Sequence, residues 1–104
     1  MAEVVWAEPA VNDLKAIVEH IAKDSKAYAE RFALKVVQAA RRLKSFPQSG
    51  RVVPEFGDRN VRELIYGSYR LIYVVRSSTC YVVALVHGSR QLLSRMKPGE
   101  WEVT

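Results

Sequence analysis

Two runs of β-forming residues, VRELIY and YRLIYVV, are separated only by Gly67-Ser68, and this two-residue interruption constrains the chain more than any other feature. Glycine supplies the positive φ that a primed hairpin turn demands, so Tyr66 faces Tyr69 and the register follows by arithmetic. Every facing pair sums to 135: Ile65 with Arg70, Leu64 with Leu71, Glu63 with Ile72. Because side chains alternate across a strand, one face carries Leu64, Tyr66, Tyr69, Leu71 and Tyr73, and the other Glu63, Ile65, Arg70, Ile72 and Val74. The second face sets an arginine in mid-strand with a carboxylate diagonally across from it, and is the place to look for function.

The rest of the chain supplies the layers around this hairpin. Glu3 to Trp6 is a short β-type run that must pair with later strands and reads as an edge strand. Pro9 suits a first helical position, and Ala10, Leu14, Ile17 and Ile21 then recur at spacings of four, three and four. Ser25 is a good N-cap for a second helix with a stripe of Ala29, Phe32, Ala33, Val36, Val37, Ala40 and Leu43, which Pro47 ends. Only Lys23 and Asp24 lie between the two helices, so they fold back as a helical hairpin. Arg41, Arg42 and Lys44 complement the dipole at the second helix's C-terminal end, with a nucleic-acid contact as the alternative reading. Gln48 to Asn60, broken by Gly50, Pro54 and Gly57, reads as a surface connection. Arg76 to Cys80 forms a second turn, Tyr81 to His87 a last strand, and residues 91–104 a short helix or irregular packing segment. The fold class is α+β in the order β-α-α-β-β-β, a helical hairpin on one face of a small antiparallel sheet in a single domain of residues 1–104. The helices cover the Leu71 and Tyr73 face, so the other is expected to be open, with Arg70 accessible beside Glu63.

Composition narrows the chemistry. One cysteine, Cys80, permits no internal disulfide, and His20 and His87 are the only other soft ligands, so no metal, no cofactor and a reducing, cytoplasmic setting are expected. The longest apolar run, Tyr81 to Val86, is far below the roughly 20 residues of a membrane span. A net charge of +5 favours polyanions or an acidic protein partner without choosing between them.

In this order the residues resemble the RelE/ParE superfamily of toxins from bacterial type II toxin–antitoxin systems. The resemblance is carried by the helical pattern from Pro9 to Ile21, the SFPQSGRVVPEF connection, the VRELIYGSYRLIYVV hairpin and the LVHGSR ending, and it spans Val4 to Arg90, closest to the ParE side. It implies a cognate antitoxin, a small acidic protein, and a target that is DNA gyrase for ParE-like members or messenger RNA on the ribosome for RelE-like ones.

Nucleases of this superfamily need groups that activate a ribose 2′-hydroxyl, stabilise the phosphate and protonate the leaving oxygen. By resemblance Arg70 matches one arginine of that set and Arg90 another, while the two basic positions before the hairpin turn fall at Glu63 and Ile65. Met96 stands near the place of a C-terminal tyrosine. What remains for catalysis is Arg70, His87 and Arg90, with Glu63 able to imitate a carboxylate base. The same residues have plain structural readings: Arg70 paired with Glu63, Arg90 anchoring the tail, and His87 ending a strand in alternation with Leu85 and Val83. The resemblance therefore implies a non-enzymatic gyrase inhibitor that uses Glu63, Arg70 and Arg90 to bind partners. The alternatives are a ribosome-dependent ribonuclease and an inactive member that only binds its antitoxin.

Overall fold

In the computed structural model, which describes residues 1–88 and 92–95, the chain runs β1 (Glu3–Trp6), α1 (Glu8–Ala22), α2 (Lys26–Arg41), a 3-10 turn (Arg42–Lys44), β2 (Arg51–Val52), β3 (Val61–Tyr66), β4 (Tyr69–Arg76), β5 (Thr79–His87) and α3 (Leu92–Arg95). The hairpin forms in the expected register, from Tyr66 opposite Tyr69 through Glu63 opposite Ile72 to Val61 opposite Val74. Gly67 takes φ 57° at the turn. Ser25 caps α2 by accepting from the Tyr28 N–H at 3.1 Å.

The strand order is β1-β5-β4-β3-β2. Two features depart from the expected small antiparallel sheet. β1 lies at the edge as expected but pairs parallel with β5, since the chain crosses over through both helices before it returns. Residues Arg51 and Val52, read as part of a surface connection, form a further strand on β3. A bulge adds a third correction: Ile72 faces Ala84 while Tyr73 faces Val82, so Val83 is the extra residue. It breaks the alternation expected of His87, Leu85 and Val83. Leu85 belongs to the helix-side core, Val83 to the opposite one.

α1 and α2 pack on one face, as the alternation requires. Phe32, Val36, Ala40 and Leu43 meet Leu71, Tyr73, Cys80, Val82 and Leu85 there. β1 ends at Trp6, and beyond it the Leu85 N–H donates to the Asp13 carboxylate of α1 at 3.0 Å, which ties helix to sheet where no strand pairs. The Cys80 thiol lies within this core, and burial pushes its pKa up.

The opposite face is not open. Val53 and Phe56 fold over it from the connection, and Leu92 of α3 from the tail, closing a second core with Val61, Ile72, Val74, Val83, Ala84 and Val86. The reason is elementary: so many β-branched residues on that face cannot be left in water, and the apolar residues within VVPEF are near enough to cover them.

Gly50 fixes where the connection leaves the helices. Its N–H donates to the buried Tyr73 hydroxyl at 2.9 Å, and a Cβ there would stand 2.5 Å from the Glu63 carbonyl oxygen. Backbone cannot yield to such a contact as a flexible side-chain end can. Gly50→Ala is therefore expected to cost about 1–3 kcal/mol, as overpacking does, and to lower the chemical-denaturation midpoint accordingly. Gly57→Ala is the informative contrast: nothing lies within 4 Å of its Cβ, and its penalty comes from φ 62° alone.

Candidate functional site

The register places Glu63 on β3 and Arg70 on β4 as diagonal neighbours facing the second core, and β2 brings Arg51 directly opposite Glu63. Arg70 Nε donates to Glu63 Oε1 at 2.5 Å, while Nη1 and Nη2 grip both oxygens of Glu55 at 2.7 and 2.8 Å. Glu63 Oε2 accepts from Arg51 Nε at 2.5 Å. The result is a chain of alternating charge, Arg51–Glu63–Arg70–Glu55, with no net charge of its own.

Burial varies along it. The Glu63 side chain is fully covered and that of Arg70 is 9% exposed, against 29% for Glu55 and 62% for Arg51. The expectation that Arg70 is accessible beside Glu63 is thus corrected: the pairing is present, but the connection closes over it because Glu55 completes the guanidinium's hydrogen bonds. The bidentate contact with Arg70 is the first cause that holds the Glu55 carboxyl down at about 2. In return, Glu55 and then Glu63 keep Arg70 charged against the opposing cost of burial.

His87 pairs directly with Tyr69, their rings 5.3 Å apart in an edge contact, so it turns toward the helix side of the sheet whereas Arg70 turns away. Both touch a shallow depression of about 530 Å³ at the hairpin end, lined also by Arg51, Pro54, Glu55, Ile65, Gly67, Ser68, Tyr69 and Gly88. They border it from opposite faces of the sheet. Arg90 and Met96 fall outside the described residues. Glu63, considered as a carboxylate base, has both oxygens occupied by guanidinium donors. Among the described residues no three His, Cys, Asp or Glu side chains come together as metal ligands, and no helix is long and apolar enough to cross a membrane.

Residues that sequence reasoning missed are Arg51 and Glu55. Their signal was the alternation in RVVPEF, where charged residues flank Val52 and Val53 in a segment otherwise read as connection. Ile65, 57% exposed at the rim, is the apolar side chain the depression offers to a partner.

The family described as the ParE toxin of type II toxin-antitoxin system, parDE, matches residues 4–92. "Toxin RelE2" of Caulobacter vibrioides is 34% identical over 91 residues, which is 86% of this chain and 99% of that protein. The structure titled "Chromosomal ParDE TA system from P. aeruginosa" has the same fold at a TM-score of 0.69 and 19% identity, covering 84% of this chain and 96% of its own.

The Glu55 value carries a testable pH dependence. Its folded-state pKa of about 2 lies below the ordinary 4.5, so the stabilisation is complete above pH 4.5 and is lost as pH falls toward 2. With solvent screening of the partly exposed pair, the loss is expected to be on the order of 1–2 kcal/mol. Denaturation across that window should show the wild type losing stability more steeply than Glu55→Gln; parallel curves would refute the assignment.

Proposed function

The chain belongs to the ParE toxin family of type II toxin–antitoxin systems, and from that premise we propose that it acts by binding and inhibiting DNA gyrase, without cleaving RNA, and that a small acidic antitoxin neutralises it. One observation carries this reading: the arginine that would serve a nuclease has all three guanidinium nitrogens committed to Glu63 and Glu55. Cleavage through a 2′-hydroxyl needs a cation free to meet the crowded phosphate and an acid–base group on the same side. Here Glu63 and Ile65 stand where RelE-like members place cations, and His87 lies on the other face of the sheet from Arg70. Glu63 and Arg70 serve recognition by holding Glu55 and Arg51 at the rim, where Ile65 is exposed. For the antitoxin, the outer side of β1 from Val4 to Trp6 supplies a strand to extend, and the net charge a complementary potential.

The name of the 34% identical relative favours a second reading, ribosome-dependent messenger-RNA cleavage, with Arg70, His87 and Arg90 as its groups. That reading requires the connection to open and release Arg70.

Induction followed by assays of plasmid supercoiling and of transcript ends separates the two. Gyrase inhibition should appear as relaxed plasmid with transcript ends unchanged. Ile65→Asp should abolish it while leaving the melting temperature within a few degrees of wild type, because the position is exposed. Codon-aligned cuts with supercoiling intact would favour the ribonuclease. Arg70→Ala does not discriminate the readings, since stranding Glu63 in the core costs about 3–5 kcal/mol by itself.

A further inference from the structure

The chain's positive charge is not spread over its surface. Residues 26–44, which are α2 and the 3-10 turn after it, hold six cations and one carboxylate, a balance of +5. This equals the net charge of the whole protein, and the remaining residues carry ten of each sign. None of Arg31, Lys35, Arg41, Arg42 and Lys44 has an ion pair among the described residues.

The helix dipole accounts for only part of this. It favours cations at the C-terminal turn, where Arg41 and Arg42 lie, and opposes them at the N-terminal end. Yet α2 begins with Lys26, has no acid in its first turn and places Arg31 in its second. Arg31 and Lys35 are also one turn apart, a like-charge spacing that costs a helix a few tenths of a kcal/mol. Helix stability alone gives no reason for such a surface.

At 100° per residue, Tyr28, Arg31, Leu34, Lys35, Arg41 and Arg42 fall within a sector of about 140° on the side of α2 away from the core. All six are exposed, Leu34 at 56% and Tyr28 at 51%. The stripe runs on into a concavity of about 430 Å³ where Gln38, Arg41, Arg42 and Lys44 converge. Immediately after it Phe46 is 65% exposed. Cations and apolar side chains are thus interleaved along one accessible helix face.

We propose that this outer face of α2 is a docking surface for an acidic amphipathic segment of a protein partner, which sets carboxylates against the arginines and an aliphatic side chain against Leu34. Charge complementarity requires an anionic occupant. Leu34 selects among anions, because a phosphate backbone offers no apolar counterpart to it whereas an acidic peptide does. The surface is separate from the depression at the hairpin end, and it stands whichever target the toxin has.

The test uses the purified full chain and a fluorescein-labelled 16-residue helical peptide with glutamates on one side and leucines on the adjoining one, followed by anisotropy at near-physiological salt. Arg41→Gln with Arg42→Gln is expected to weaken binding at least tenfold. Arg59→Gln with Arg76→Gln removes the same charge elsewhere and is expected to leave binding within twofold. Leu34→Ser should weaken the leucine peptide severalfold, to the level of a peptide with serines in place of the leucines. All three variants alter exposed side chains, and matching circular dichroism melts establish that they fold. Equal binding of the serine peptide, equal loss in both arginine pairs, or tighter binding of a 16-base-pair DNA duplex would each overturn the proposal.

Discussion

A carboxylate without water around it must find its partners within the protein, and Glu63 is that carboxylate. Its two oxygens take one guanidinium from β2 and one from β4, so the alignment of three strands is written into a single residue's hydrogen bonds. Arg70 then needs a second anion for its outer nitrogens, which draws Glu55 and with it the connection after β2. Relative to apolar packing of the same shape, such a chain of buried charges adds little net stability, while breaking it at either buried member is costly. Its effect is positional. It decides where residues 51–56 lie, and the second core depends on that placement for Val53 and Phe56.

Local rules made much of this legible. The hairpin register needed only a glycine and strand alternation, the α2 cap only a serine before a helical stripe, and the diagonal meeting of Glu63 with Arg70 followed from both. What stayed hidden was set by tertiary competition. β2 is two residues long and has no period to detect; it forms because β3 presents an unpaired edge beside it. The bulge at Val83 has no glycine to announce it, and it resolves a conflict between the β4 register and the need to put both Val83 and Ala84 into the second core. The expectation of an open sheet face failed for a related reason. Alternation says which side chains share a face but not what lies over them, and a connection rich in turn residues was counted as surface although Val52, Val53 and Phe56 lie within it.

Family membership brings the scaffold and not the chemistry, because the same sheet can present cations or conceal them. Placing a glutamate at position 63 converts a face that would project positive potential into one that closes on itself. Arg70 keeps its place in the strand and loses its freedom, so matching that arginine by sequence says little about its use. The hairpin end is left with a rim of mixed character, an arginine and an isoleucine around a shallow depression, better suited to a protein surface than to a phosphate.

Positive potential is carried instead by α2, on the helical layer, and the two surfaces share a core. Phe32, on the inner side of α2, packs against Tyr66 and Tyr69 with ring centroids 5.6 and 5.2 Å away, so the helix and the hairpin end form one packed unit. Coupling between distant sites requires an element with two arrangements that both sites bias, and close-packed aromatic contacts of this kind supply one. Direct electrostatic influence fades within about 8 Å at physiological salt, shorter than the thickness of the helical layer. An occupant of the outer face of α2 therefore acts on the hairpin end by the volume it excludes or by a second segment that reaches around. A linked segment gains from the first contact through effective concentration, and the separation of a charged anchoring surface from a nearly neutral recognition surface is the arrangement that rewards such a two-part partner.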